Sequence, residues 1–174
     1  KDGKAIASAI TSIDLHDIAR TARTYGVDGF YVVTPLADQR EFAGKIIDHW
    51  VNGAGSTYNP DRKKAFSLIR LRSDLQEAVD EIREQGGTDD VRLVATSASG
   101  APGQLAYADF RQALKTEIRS YVLALGTAWG LSPGFMAEAD YRLAPVAGLS
   151  DYNHLSVRAA AAIILDRLLA ADLQ

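Results

Sequence analysis

The stretch that decides the fold runs from Ser120 to Ala171 and reads SYVLALGTAWGLSPGFMAEADYRLAPVAGLSDYNHLSVRAAAAIILDRLLAA. Two short apolar segments within it, Tyr121–Leu125 and Tyr141–Ala144, are predicted strands, and each runs into a loop rich in small and polar residues. Buried strands with functional loops after them are typical of an open parallel sheet. We therefore expect the loops Gly126–Leu131 and Ala144–Leu149 to wrap one small ligand.

Upstream of this stretch, predicted strands and helices alternate along the chain. The expected strands are Gly29–Val33, Phe66–Arg70 and Val91–Thr96, and the expected helices are Asp14–Tyr25, Ala37–Val51, Asp74–Gln85 and Tyr107–Thr116, with Asn52–Lys64 as a loop and a last helix from about Leu155. This alternation predicts an α/β fold with a mainly parallel sheet flanked by helices. Because no linker interrupts the pattern, we expect a single domain over residues 1–174.

Two finer expectations concern the first helices. Asp14 has the side chain of a helix N-cap, with the acidic Asp17 three residues later. In the second helix, Phe42 is expected to face inward together with Ile46 and Trp50.

Composition narrows the range of functions. The 174 residues include no cysteine, which excludes disulfides, thiolate nucleophiles and cysteine-based zinc sites, and which fits a reducing cytoplasm. No signal peptide is visible, and Arg158 and Asp166 interrupt the longest apolar stretch, so no membrane span is expected. A net charge of −3 argues against an indiscriminate nucleic-acid binder, although basic residues gather near Arg23 and at Arg62–Lys64.

Common catalytic motifs are missing from the sequence. Gly126 and Gly130 are spaced G-x-x-x-G rather than G-x-G-x-x-G, and no Walker A lysine is present, so ordinary NAD and NTP sites are disfavoured. His16, His49 and His154 lie on different predicted elements, so no metal site is expected. No serine lies in a G-x-S-x-G elbow, which disfavours a hydrolase.

The remaining candidates have ordinary structural explanations when they are considered alone. Spacing favours Trp129 as a core residue and the glycines beside it as turn residues. Asn153 suits a helix N-cap, with Ser156 near the third helical position. Arg20 suits an exposed pair with Asp17.

Several motifs in order nevertheless resemble one family. Residues 143–163, LAPVAGLSDYNHLSVRAAAAI, resemble the last motif of the SPOUT superfamily of RNA methyltransferases, where a glycine loop precedes Asn, Ser-Val and an Ala-rich helix. Residues 125–131, LGTAWGL, resemble the preceding cofactor loop. Residues 14–29, DLHDIARTARTYGVDG, are similar to the first motif of the ribose-2′-O branch, with Asp14 or His16 in place of its leading Asn. The chain resembles most the bacterial SPOUT domain that is sometimes fused to the tRNA guanine-N1 methyltransferase.

This resemblance implies a deep trefoil knot at the C-terminus that holds S-adenosylmethionine, and it implies no metal. The residues implied to contact this methyl donor are Thr96, Ser97, Ala98, Leu125, Gly126, Thr127, Trp129, Gly130, Leu131, Leu143, Ala144, Pro145, Val146, Gly148, Tyr152, Asn153 and Leu155. Arg20, Asn153 and Ser156 are implied to be catalytic. Since a guanidinium is normally protonated, Arg20 acts either as the base that the family assigns or as an electrostatic clamp.

The resemblance also implies the substrate and the assembly. We expect a homodimer that methylates the ribose 2′-hydroxyl of RNA, with tRNA as the substrate, and a first strand that would precede Lys1. Two alternatives stay open. One is base methylation in the same fold, with Asp151 as the candidate proton acceptor, and the other is a non-catalytic dimer module that binds a nucleotide-like ligand.

Overall fold

The computed structural model describes residues 9–86 and 88–171, which form two compact units that divide between Val79 and Asp80. The sequence also favoured an extended segment over Ile6–Ile13. Residues 6–8 lie outside the described residues, and Ser12 and Ile13 belong to the first helix, so the expectation is wrong for those two residues. The division falls within helix α5 (Leu75–Gly86). The prediction of a single domain over residues 1–174 stays a prediction, and each unit is described by itself.

The first unit combines two parallel strands with four helices. Its elements are α1 (Ser12–Thr24), β1 (Phe30–Val33), α2 (Ala37–Val51), α3 (Ala54–Tyr58), α4 (Pro60–Phe66) and β2 (Ile69–Arg72). Strands β1 and β2 pair in parallel, with Phe30 beside Ile69. Leu15 of α1 and Phe66 of α4 are almost fully buried and form the centre of the core of this unit.

Helix α1 begins three residues before the predicted position. Thr11, and not Asp14, is the N-cap, and its hydroxyl accepts a hydrogen bond from the amide of Asp14 at 3.2 Å. The expectation for α2 was right in its bounds but wrong for Phe42, which is 44% exposed, whereas Ala43 is buried. A small residue lets α2 approach the core closely at that position.

The expected loop Asn52–Lys64 is wrong, because this segment contains α3 and most of α4. Asn59 caps α4 through its side-chain oxygen, which accepts from the amide of Arg62 at 2.9 Å. Pro60 follows at the first helical position, where a missing N–H costs nothing. Strand β2 consequently starts at Ile69 rather than at Phe66, which ends α4.

The second unit combines three parallel strands with three helices. Its elements are β3 (Val91–Ala95), α6 (Tyr107–Thr116), β4 (Ser120–Ala124), α7 (Pro133–Glu138), β5 (Tyr141–Arg142) and α8 (Val157–Leu169). The strands form one sheet in the order β4-β3-β5. Its core is built from Val94, Phe110, Leu143, Ile164 and Leu168. The parallel strands and flanking helices confirm the predicted α/β class, with two sheets among the described strands instead of one.

The backbone after β5 is hydrogen-bonded on both of its sides. The amide of Leu143 donates to the carbonyl of Ala95 at 2.9 Å, and the amide of Ala144 donates to the carbonyl of Leu105 at 2.9 Å. Ala95 is the last residue of β3, and Leu105 follows the loop that begins at residue 96. The segment after β5 is therefore held between the two ends of the loop 96–104.

Candidate active site

Three loops leave the carboxyl ends of the strands in the second unit, where ligands bind in open α/β sheets. Thr96 fixes the start of the first loop, because its amide and its hydroxyl both donate to the carbonyl of Ala124, at 3.1 and 2.8 Å. This carbonyl ends β4, so the loops after β3 and β4 begin side by side. The structure thus brings together two of the three predicted donor loops at their bases.

The third loop is tied to the first by side chains. Asn153 donates from Nδ2 to the carbonyl of Ala98 at 2.8 Å. Gln104, which the sequence reasoning missed, accepts from the amide of Ala101 at 2.9 Å and donates to the carbonyl of Leu143 at 3.4 Å. A glutamine beside a Gly/Pro-rich run was the available signal. These bonds join the loops after β3 and β5 into one cluster.

The second loop turns so tightly that its backbone leaves no room for a side chain at Gly126. An added Cβ there would lie 2.4 Å from the carbonyl carbon of Gly130 and 2.4 Å from the amide nitrogen of Leu131. Gly130 has a φ of 87° and Ala128 a φ of 52°, the left-handed region that favours glycine. Gly126 and Gly130 are therefore turn residues, as their spacing suggested, and the turn brings main-chain groups close together.

Apolar side chains on these loops are exposed. Trp129 is 77% exposed, so its interpretation as a core residue was wrong, and Tyr152 and Leu155 are also exposed. Leu143, by contrast, is 1% exposed and packs in the core, so it offers a ligand only its backbone. Exposed aromatic and aliphatic side chains beside tight turns are suited to cover a flat ligand.

One cavity lies against the last loop. It has a volume of about 320 Å³, and its walls come from the loop after β5 and from α8: Val146, Ala147, Gly148, Tyr152, Asn153, His154, Leu155, Ile163 and Arg167. Five of the predicted donor contacts line it. Residues of the first two loops do not, so the cavity and the predicted site coincide only in part.

The two other residues implied to be catalytic have different positions. Ser156 is the N-cap of α8, and its hydroxyl accepts from the amide of Ala159 at 3.3 Å. The cap is therefore Ser156 and not Asn153, against the expectation from spacing. Arg20 lies in the first unit, on α1, with an exposed side chain.

Charges around Arg20 act on a neighbouring histidine. The pKa of His16 is lowered from its ordinary value of 6.5 by partial burial and by the positive charge of Arg62, and to a smaller extent by Arg20. Asp17 opposes the shift. The positive charges of Arg62 and Arg20 therefore both reach the ring of His16.

Two further classes of feature are missing from the described residues. No helix among residues 9–86 and 88–171 is long and apolar enough to cross a membrane. Within the same residues, no group of three or more His, Asp or Glu side chains is placed to hold a metal ion.

The fold is that of a known class of methyltransferase. The SpoU methyltransferase AviRb from Streptomyces viridochromogenes, solved in complex with AdoMet, matches 92% of this chain and 54% of that chain, with a TM-score of 0.57 and 24% identity. The family model described as SAM-dependent RNA methyltransferase matches residues 1–170. The chain therefore belongs to the family of S-adenosylmethionine-dependent RNA methyltransferases, which confirms the family that the motifs indicated.

Two bacterial relatives carry the name tRNA (guanine-N(1)-)-methyltransferase. The protein of Nitratidesulfovibrio vulgaris is 44% identical over 169 residues, and that of Oleidesulfovibrio alaskensis is 41% identical over 169 residues. Each alignment covers 97% of this chain but 39% of the relative. The chain thus spans well under half the length of these relatives.

The residues at the loops fit the methyl donor of this family. S-adenosylmethionine presents a flat adenine, whose edge main-chain groups can read where a backbone turns without side chains, as at Gly126. Trp129 and Leu155 supply exposed apolar surface for its faces. The donor set is one of backbone and apolar groups, as an uncharged heterocycle requires.

Proposed function

We propose that the chain transfers a methyl group from S-adenosylmethionine to the ribose 2′-hydroxyl of an RNA, with tRNA as the substrate. The observation that carries this proposal is the clustering of three loops at the carboxyl ends of β3, β4 and β5, tied by Asn153 and Gln104. The match to the family supports the donor and the RNA. With tRNA as the substrate, we also propose that the protein works in the reducing cytoplasm.

In this proposal the three loops hold the donor largely with backbone groups. The first loop contributes Thr96, Ser97 and Ala98, the second contributes Leu125–Leu131, and the third contributes Leu143–Gly148 with Tyr152, Asn153 and Leu155. When bound, the donor supplies a methyl group on a positively charged sulfur. The loops position that methyl group for in-line attack, since alignment is the main requirement of such a displacement.

Arg20 is the residue that we assign to the acceptor. The 2′-hydroxyl must lose its proton as the new C–O bond forms, and negative charge develops on that oxygen. A guanidinium stays protonated near neutral pH, so Arg20 stabilises the developing charge while the bond from the methyl group to sulfur breaks, and the proton passes to solvent water. Its exposed position on α1 leaves it available to a substrate.

Asn153 and Ser156 act indirectly in this scheme. Asn153 holds the last loop against Ala98, and Ser156 fixes where α8 begins. Both are positioning residues, because Nδ2 of Asn153 and Oγ of Ser156 each bond to the backbone of the protein.

We further propose that the segment after β5 passes through the loop 96–104 and forms the trefoil knot of the family. The hydrogen bonds of Leu143 to Ala95 and of Ala144 to Leu105 support this threading. A threaded segment would hold the loops rigidly without help from the ligand.

Base methylation is the second candidate, because the two relatives are named guanine-N1 methyltransferases. The acceptor would then be a ring nitrogen, which favours a carboxylate as proton acceptor. Asp151 is exposed beside Tyr152 on the last loop and is the candidate for that role.

Labelled methyl transfer to bulk tRNA, followed by alkaline hydrolysis, separates the candidates. A ribose-methylated nucleotide blocks cleavage at its own phosphate, so the label appears in a resistant dinucleotide, whereas a base-methylated one yields a labelled mononucleotide. We expect Arg20→Ala to abolish transfer while S-adenosylmethionine still binds in calorimetry.

The matched control is Lys45→Ala, which removes an exposed cation of α2 in the same unit and should leave transfer unchanged. Label in mononucleotides, lost in Asp151→Asn, would replace the ribose proposal with base methylation. Full activity of Arg20→Ala would remove Arg20 from the reaction.

A further inference from the structure

Residues 52–64, which match none of the family motifs, form helix α3 and most of helix α4 rather than a loop. Gly55 seats α3 directly on Trp50: an added Cβ would lie 2.6 Å from Cε3 of the Trp50 ring and 2.9 Å from the carbonyl oxygen of His49. Asn59 then caps α4 and sets the direction of the residues that follow. The position of these two short helices is therefore fixed by close packing.

Within this packing, the side chain of Arg62 lies against an aromatic ring and is partly buried. Its guanidinium carbon lies 4.5 Å from the centroid of the Trp50 ring, a cation–π contact. Its Nε is buried and has no hydrogen-bond partner within the described part of the chain. A buried N–H without an acceptor is costly. Because Nε is shielded from solvent, an external anion can reach only the remaining, partly exposed part of the guanidinium.

Arg62 and Arg20 both act on His16, which packs beside Trp50. The ring of His16 lies 5.4 Å from that of Trp50 and 4.6 Å from that of Phe66, both edge-on. His16 senses the charges of both Arg62 and Arg20, which lower its pKa after burial does. Lys63, next to Arg62, is exposed. Because the charges of Arg62 and Arg20 both reach His16, an anion placed near this ring would be attracted by both.

An exposed aromatic residue lies where α3 ends, just before α4 begins. Tyr58, the last residue of α3, is 86% exposed and precedes the cap of α4 by one position. A tyrosine presented to solvent beside cations is the combination that single-stranded RNA requires, because bases stack on aromatic faces while phosphates pair with cations.

We propose that α3 and α4 form an RNA-docking element, in which Tyr58 stacks on an unpaired base and Arg62, seated on Trp50, binds a neighbouring phosphodiester. The choice of RNA as the ligand rests on the proposed function. Helix α4 packs against α1, the helix that carries Arg20, and the charges of Arg62 and Arg20 both act on His16, so the element would hold the strand close to the nucleotide that Arg20 serves.

Salt-dependent binding of fluorescently labelled single-stranded RNA tests the two contacts separately. Tyr58→Ala should weaken binding about tenfold at every salt concentration, because a lost stack carries no charge, and Tyr58→Phe should bind as the wild type does. Arg62→Gln should weaken binding and lower the slope of log K against log salt by about 0.7, the value for one phosphate contact on a single strand. Arg62→Lys should keep the slope.

The control is Lys45→Gln, an exposed lysine of α2 paired with Glu41 at 2.7 Å, which should change neither affinity nor slope. Thermal unfolding of each variant shows whether the first unit stays folded, and Tyr58→Ala remains a valid test if Arg62→Gln does not fold. Wild-type binding by Tyr58→Ala, or an unchanged slope in folded Arg62→Gln, would overturn the proposal.

The same proteins separate this inference from the proposed function. If the wild type transfers methyl groups but these variants bind RNA normally, the docking element is wrong and the reaction stands. If the wild type transfers none but the variants lose RNA affinity as expected, the reaction is wrong and the docking element stands.

Discussion

At the scale of single residues, Gly126 is the position where the donor loop tolerates no side chain. We expect Gly126→Ala to lower the affinity for S-adenosylmethionine about tenfold or more, because the methyl group must displace the backbone at Gly130 and Leu131. Calorimetric titration with the donor measures this effect. Gly134→Ala is the control, since its Cβ would meet nothing nearer than 4.0 Å. Equal affinities in the two variants would show that the loop does not form the donor site.

A second residue, His16, should make stability depend on pH. Because its pKa is lowered in the folded chain, the unfolded chain binds the proton first as pH falls below about 6.5, and folding loses stability. The wild type should therefore lose more thermal stability than His16→Gln between about pH 7.5 and about pH 5.5.

The cause of this shift can be tested on its own. Burial is its first cause and the charge of Arg62 its second, so Arg62→Gln should reduce the pH effect without removing it. Parallel melting curves for the wild type and His16→Gln across this range would contradict the shift.

At the scale of elements, length and periodicity decided which parts the sequence could predict. Helices α2 and α6 match their expected bounds, because each has ten or more residues with an apolar face. Helices α3 and α4 were missed, since five and seven residues carry too little periodic pattern and their polar side chains look like a loop. Tertiary contacts stabilise these helices, because Gly55 packs on Trp50 and Phe66 is buried.

In the candidate site, too, the sequence predicted the local turn but not the contacts between loops. The glycines predicted the position of the tight turn, because its left-handed backbone favours glycine. The contacts between loops were not predictable, since Asn153 and Ala98 are far apart along the chain. Asn153 was also expected to be the cap in place of Ser156, because either side chain suits the position. Only the structure shows that Ser156 accepts from the amide of Ala159, whereas Asn153 donates to the carbonyl of Ala98.

Helix α4 provides the prediction at this scale. Asn59→Ala should lower the free energy of unfolding by about 1 kcal/mol, because the amide of Arg62 loses its capping acceptor. Asn52→Ala is the control: among the described residues this exposed side chain bonds to Asp48 alone, and it caps no helix N-terminus, so its loss should be smaller. Denaturant unfolding of both variants measures the difference, and equal losses would mean that Asn59 contributes nothing as a cap.

At the scale of the whole molecule, the two units divide the proposed work. The donor loops belong to the second unit, whereas Arg20 and the docking element belong to the first. If the protein is the expected homodimer, Arg20 of one copy can act beside the methyl donor that is bound by the loops of the other copy. This arrangement can be tested. On α8, Ala161 is buried within its own unit, whereas Ala159 and Ala162 are partly exposed small residues that would let a second helix approach closely.

Mixing two inactive variants tests that arrangement. With S-adenosylmethionine kept well below the Kd of Gly126→Ala, we expect Arg20→Ala and Gly126→Ala each to transfer little methyl when they are expressed alone. When co-expressed in equal amounts, half of the dimers are mixed, and each mixed dimer carries one intact pair of donor loop and arginine if the two come from different copies. Methyl transfer should then recover to roughly a quarter of the wild-type value. Unchanged inactivity of dimers shown by sedimentation would place the loop and the arginine in the same copy, and a monomeric wild type would contradict the dimer itself.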